Sequence, residues 1–105
     1  MTDRSETEIQ SGILKTLRRF GVWADRYQAG MVKIGGNWIH LGEAGAPDIL
    51  VLDPYGWLEV KVPGGKPSEV QKRWHAKARA RGIRVEVVTH EGEATRVVLK
   101  WRSDG

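Results

Sequence analysis

Cysteine is absent from this 105-residue chain, which removes disulfides, thiolate-ligated zinc and thiol nucleophiles together. Long apolar runs are missing as well: no stretch approaches membrane-spanning length, and the N-terminus carries no signal-peptide apolar region. The expectation is a cytoplasmic protein with no membrane partner, since a reducing compartment suits a cysteine-free chain. Repeats, low-complexity tracts and interdomain linkers are also lacking, so residues 1–105 read as a single domain. Histidine is sparse. His40 falls in an expected strand, His75 in a helix and His90 in a loop, and three scattered histidines do not make a zinc site.

What remains is enough to fold. Hydrophobic residues make up 40% of the chain, which supports a buried core rather than disorder. The formal net charge is +4 and the pI about 9.7, a balance that favours a polyanionic partner. The excess is concentrated in Lys66, Lys72, Arg73, Lys77, Arg79, Arg81 and Arg84, opposed in that segment by Glu69. Such a cluster can bind phosphates with counterion release, or it can be a solvated helix face.

Helix and strand signals alternate along the chain. Ser5-Glu6-Thr7-Glu8 fits a capping box that starts a helix ending before Gly21, with Ile9, Ile13, Leu17 and Phe20 as its apolar stripe and Leu14 beside it. Strand candidates follow at Val22–Tyr27, Met31–Ile34 and Asn37–Leu41, separated by Gly30 and Gly35-Gly36. Ile49–Leu52 is wholly apolar, as a central strand covered on both faces should be. Asp53-Pro54-Tyr55-Gly56 reads as a turn with proline pre-organising it and glycine closing it, leading into a partner strand Trp57–Val62. After the Pro63-Gly64-Gly65-Lys66-Pro67 loop, Ser68 should cap a helix running to about Arg81, stopped by Gly82. Ile83–Thr89 alternates as a strand does. Glu91–Trp101 reads as a last helix, although Val97-Val98-Leu99 suits a strand equally. The fold class is α/β (α+β mixed) in the order α-β-β-β-β-α-β-α, a mixed sheet with helices packed on it.

One constellation carries chemistry. Asp48 opens the apolar strand, and in Trp57-Leu58-Glu59-Val60-Lys61-Val62 strand periodicity puts Trp57, Glu59 and Lys61 on one face, with Leu58, Val60 and Val62 on the other. Pairing across the turn would bring Asp48 near Glu59 and Lys61. Two carboxylates with the Val60 carbonyl could then share a hard cation such as Mg2+, with Lys61 facing a water, which is the equipment for hydrolysing a phosphodiester. Taken singly, Glu59-Val60-Lys61 could be a cross-strand ion pair, and Asp48 a turn cap.

Pro47-Asp48 followed by Glu59-Val60-Lys61 resembles the signature of PD-(D/E)xK nucleases. With Gly45-Ala46-Pro47-Asp48, Pro63-Gly64-Gly65-Lys66-Pro67-Ser68 and Gln71, the likeness narrows to the stand-alone phage and bacterial members of the VRR-NUC (virus-type replication-repair nuclease) family and covers about residues 5–90. The resemblance implies a restriction-endonuclease-like fold and Mg2+ or Mn2+ held by Asp48, Glu59 and the Val60 carbonyl. It makes Lys61 the general base or water-orienting residue. It also implies a glutamate on the first helix. Glu6 and Glu8 both compete for that place; Glu6 lies over the same helix face as Ile9, Ile13 and Leu17 and is preferred, while capping explains Glu8. Gln71 matches a family glutamine, although Ser68-x-x-Gln71 is a capping box in its own right.

DNA is the expected partner, recognised by shape rather than base sequence, with Lys66, Lys72, Arg73, His75, Lys77 and Arg81 as contacts. His75 suits a phosphate or packing contact better than a base. On the Ser68–Arg81 helix, Val70, Trp74 and Ala78 form an apolar row, with Arg73, Lys77 and Arg81 beside it. The chain has five tryptophans, most of them expected in the core, with some free for a subunit interface. The resemblance implies a homodimer pairing two sites on branched DNA such as a four-way junction. No organic cofactor is expected. Rival readings are a non-cleaving nucleic-acid-binding module of the same fold, a flap or nicking nuclease, and a protein-interaction domain whose charges are only solvated.

Overall fold

Ser5 ends the extended entry of the chain by accepting a hydrogen bond from the Glu8 amide (3.1 Å), while the Glu8 carboxylate accepts from the Ser5 amide (3.1 Å). This reciprocal cap starts α1 (Glu6–Arg19), whose acidic first turn and basic last turn both suit the helix dipole. The computed structural model describes residues 3–27, 30–41 and 43–104, with the backbone alone for 30–34 and 38–41. After α1 come β1 (Trp23–Arg26), β2 (Gly30–Ile34), β3 (Asn37–Leu41), β4 (Ile49–Asp53), β5 (Tyr55–Val60), α2 (Glu69–Arg79), β6 (Val85–Val88) and α3 (Glu91–Ser103). Five strands separate α1 from α2, one more than the expected order counts, because every extended candidate in that stretch forms a strand.

β1, β4, β5 and β6 make a mixed sheet in the order β1-β4-β5-β6. β1–β4 and β4–β5 are antiparallel, and β5–β6 is parallel. A parallel pair needs a crossover, and α2 supplies it. β2 and β3 pair with each other as a separate two-stranded sheet. The result is a mixed α/β fold with three helices and a four-stranded mixed sheet.

Alternation along the central strands divides the interior in two. Ile49, Val51, Leu58 and Val60 point to one face, where Ile9, Ile13, Leu14 and Leu17 of α1 and Ala94, Val98 and Trp101 of α3 cover them. Each fully buried Ile or Leu there is worth about 1.5–3 kcal/mol. The opposite face carries Trp57, Val85 and Ala78, with Tyr27, Leu50, Trp74 and Ile83 packed around them. Trp57 stands edge-on to both Tyr27 and Trp74, at centroid distances of 5.0 and 5.1 Å.

Several expectations shift. Phe20 is the C-cap of α1 and 49% exposed, because the helix ends before it can join the stripe. The hairpin turn lies one residue earlier than expected: Leu52 pairs with Tyr55, the Asp53–Pro54 peptide is cis, and Gly56 lies within β5. Gly56 serves packing instead of closing a turn, since a Cβ there would overlap the Trp101 ring. β5 ends at Val60 because a turn begins at Val62: the Gly65 amide donates to the Val62 carbonyl (2.8 Å), with Pro63 second and Gly64 third at φ +86°. The segment that suited helix or strand equally is helical, and the His90 Nδ1 caps it by accepting from the Glu93 amide (3.2 Å).

Candidate functional site

The β4–β5 ladder ends with Ile49 opposite Leu58, so Asp48 stands just beyond it, next to Glu59. Asp48 continues the ladder with its side chain: Oδ2 accepts from the Val60 amide at 2.8 Å. Within a strand, the N–H and C=O of one residue point to the same side, so the Val60 carbonyl also faces Asp48. The preceding loop fits closely against α2. Gly45 has φ +88°, and a Cβ on it would lie 2.6 Å from the Val70 carbonyl oxygen, so only glycine suits this point. Pro47 is fully buried behind it. Asp48 is thus positioned by the end of a strand and by a loop braced on a helix.

Glu59 faces α2 and has 0% exposure. Three side chains converge on it. The Lys61 Nζ lies 3.8 Å from Oε2, the Gln71 Nε2 donates to Oε2 at 3.2 Å, and the His75 Nε2 is 3.1 Å from Oε1. Gln71 does two jobs, because its Oε1 also accepts from the Ser68 amide (2.8 Å) to complete the α2 capping box. Gln71 therefore completes the capping box and reaches Glu59 at once.

Burial, then the adjacent Asp48 carboxylate and the Glu6 carboxylate, push the Glu59 carboxyl up to about 9, against the opposing pull of Lys61. His75 is held below its usual value, first by burial and then by the nearby Arg79 and Lys61 cations, with Asp48 opposing. A neutral imidazole beside a protonated carboxyl makes this contact a hydrogen bond rather than an ion pair. The distances fit a Glu59 that donates from Oε1 to His75 while Oε2 accepts from Gln71.

This donor set fits a hard divalent cation. Asp48, Glu59 and the Val60 carbonyl offer oxygen ligands on one side of β5, and burial first, then the Asp48 carboxylate, keeps a proton on Glu59. Among the described residues, no group of three or more His, Cys, Asp or Glu side chains is gathered as a ready-made cage. Mg2+ commonly uses one or two carboxylates and retains several waters, so two carboxylates suffice. Glu6 lies half-buried in the first turn of α1, near enough to act on Glu59, whereas Glu8 is exposed and engaged in capping.

Asp48, Glu59, Val60, Lys61 and Gln71 are therefore brought to one place, and Glu6 acts on Glu59 only through its charge. Lys66, Lys72, Arg73, Lys77 and Arg81 lie exposed along the loop and α2. His75 does not join them: at 3% exposure it is an inner partner of Glu59 and cannot reach a phosphate at the surface. The buried line of α2 runs through Gln71, His75 and Ala78, and Val70 is 42% exposed. The helix is rotated from the expected Val70–Trp74–Ala78 row so that Gln71 and His75 meet Glu59. The four-residue spacing of Gln71 and His75 was the available signal, placing both on one helix face. The His40 and Trp38 side chains lie outside the described residues.

No known protein family, curated protein or solved structure matches this chain.

Proposed function

We propose that the chain is a Mg2+- or Mn2+-dependent endonuclease that hydrolyses DNA phosphodiester bonds, of the PD-(D/E)xK, VRR-NUC-like type with a restriction-endonuclease-like fold. The observation that carries the reading is a fully buried Glu59 beside Asp48, with Lys61 within 3.8 Å. A buried carboxyl pushed up to about 9 is a poor structural choice, and a cation bound there would take the place of its proton. Asp48, Glu59 and the Val60 carbonyl would hold the ion, with Glu6 completing the site. Bound there, it would neutralise phosphate charge and stabilise the leaving oxygen.

The protein side chains orient the rest. Gln71 and His75 fix the rotamer of Glu59 from α2. Lys61, half-buried, lies next to the carboxylates, where as an ammonium it would orient a water and as a neutral amine it would accept that water's proton. The exposed cations of α2 give the backbone of a nucleic acid a place to lie on the same side of the sheet. Branched DNA as substrate and a homodimer that pairs two sites complete the proposal. Trp23, at 64% exposure, supports an interface, since the other described tryptophans are wholly or partly buried.

The test is cleavage of labelled four-way-junction, flap and linear duplex DNA with Mg2+, Mn2+ or EDTA. Asp48→Asn and Lys61→Ala run alongside. Metal-dependent junction cutting, lost in both variants, is the expected result. Tight, salt-sensitive binding with no cut under either metal would leave a binding module, and sedimentation of a monomer that still cuts junctions symmetrically would remove the dimer.

A further inference from the structure

The basic residues of α2 are on one face of the sheet, but a second concentration of positive charge lies on the other. A cavity of about 650 Å³ between α1 and β1 is lined by Ser11, Gly12, Lys15, Arg18, Arg19 and Arg26, with the floor closed by the buried Leu14. Among the described residues, none that lines it is acidic. Asp25 reaches Arg18 from the rim (2.8 Å) and offsets one charge. Lys15 and Arg19 are exposed, and among the described residues neither is in an ion pair. Arg26 is held in place: one guanidinium nitrogen donates to the Gln10 Oε1 at 2.7 Å and the other to the Ser11 hydroxyl. A guanidinium fixed in advance loses less freedom when it meets an anion.

We propose that this groove is a second DNA-binding surface, holding the phosphate backbone of a duplex on the side of the sheet opposite α2. The choice of DNA rests on the nuclease reading; the choice of a polyanion rests on the groove itself. From Ser11 to Arg19 the helix rises about 12 Å. Over that length one strand of a duplex presents about three to four phosphates, which matches the number of cations lining the groove. The groove also leads to the candidate site. Arg26 pairs with Ile49, and the next residue, Tyr27, donates its amide to the Asp48 carbonyl at 2.8 Å. β1 is an edge strand, so a duplex engaged at Asp48 can continue around that edge and lie along α1. A lipid surface fits less well, because the groove is concave and its one large apolar side chain is buried.

The experiment is the salt dependence of duplex and junction binding in EDTA, followed by fluorescence anisotropy from about 50 to 200 mM salt. It compares the wild type with Lys15→Ala/Arg19→Ala, with Lys15→Arg/Arg19→Lys and with Arg73→Ala/Lys77→Ala on α2. The slope of log affinity against log salt should fall by about two in the first variant, since each phosphate left without its cation lowers it by about 0.9. The charge-preserving pair should restore the slope, and turnover at saturating DNA should stay unchanged in both. An unchanged slope in the first variant, with a reduced slope in the α2 variant, overturns the proposal. The two readings separate cleanly: binding through Lys15 and Arg19 without metal-dependent cutting keeps the groove and removes the nuclease, and cutting with an unchanged slope does the reverse.

Discussion

Replacing Glu59 with glutamine should stabilise the metal-free protein at neutral pH, although it removes a proposed ligand. The folded carboxyl holds its proton to about pH 9, whereas in the unfolded chain it ionises near 4.5. Between those values the native state binds a proton that the unfolded state does not, so stability falls as pH rises, by up to about 1.4 kcal/mol per pH unit. From pH 4.5 to pH 7 that comes to about 3 kcal/mol, which Glu59→Gln avoids because an amide has no proton to hold. In a domain of this size the gain should raise Tm by about 10 °C or more. His75 acts in the opposite sense. Its folded value is lowered, so its contribution is present above its unfolded value of 6.5 and is lost as pH falls below that. The wild type should therefore lose stability less steeply just below 6.5 than above it, and continue to lose it towards pH 9, while the variant stays flat in the upper window. Thermal melts in EDTA across pH 5 to 9 decide the matter. A wild type whose stability is level between pH 6.5 and 9, with Glu59→Gln no more stable, would refute the trapped proton. A companion measurement uses the same proton: Mg2+ added at pH 7 in weak buffer should release about one proton per chain from the wild type and none from the variant.

Gly56→Ala should destabilise the fold by about 1–3 kcal/mol or more in denaturant titration, because its methyl would overlap the Trp101 ring. His75→Ala should cost about 2–3 kcal/mol through a cavity and an unpaired Glu59 oxygen, and cutting should then need more Mg2+; unchanged metal demand would make His75 merely structural. Glu6→Gln should lower metal-dependent cutting at unchanged stability. Glu8→Gln should leave cutting intact and shift stability by no more than about 1 kcal/mol, and the reverse pattern would move the first-helix acid to Glu8.

The elements with strong local signals were readable from the chain. Both capping boxes, at Ser5 and Ser68, form as their spacing indicates, and the period-two pattern of Trp57 to Val60 correctly separates Leu58 and Val60 from Trp57 and Glu59. What escaped was set by tertiary contacts. Gly56 looked like turn chemistry, and only the position of Trp101, 45 residues later in the chain, shows it to be a packing glycine. The rotation of α2 could not be read from its apolar residues, because the side chains it buries include Gln71 and His75, polar groups that satisfy Glu59. Helical periodicity looks for apolar faces and misses a face chosen for hydrogen bonding. The α1–β1 groove was likewise hidden: Lys15, Arg18 and Arg19 lie on one helix, and only the fold brings Arg26 of β1 beside them.

Two residues of the site also hold the fold together, and this determines how they should be tested. Asp48 accepts the Val60 amide just before β4 begins, and Gln71 caps α2 while holding Glu59. Truncating either to alanine would mix a structural loss with a chemical one. Asp48→Asn keeps an oxygen for the Val60 amide and removes one negative charge beside Glu59. Because that charge helps to hold Glu59 protonated, its removal should lower the pH at which Glu59 ionises. The steep part of the stability curve should then end at a lower pH than in the wild type, even as cutting is lost. Loss of cutting with an unmoved stability curve would mean that Asp48 does not act on Glu59 electrostatically, leaving burial and the Glu6 charge to account for the trapped proton.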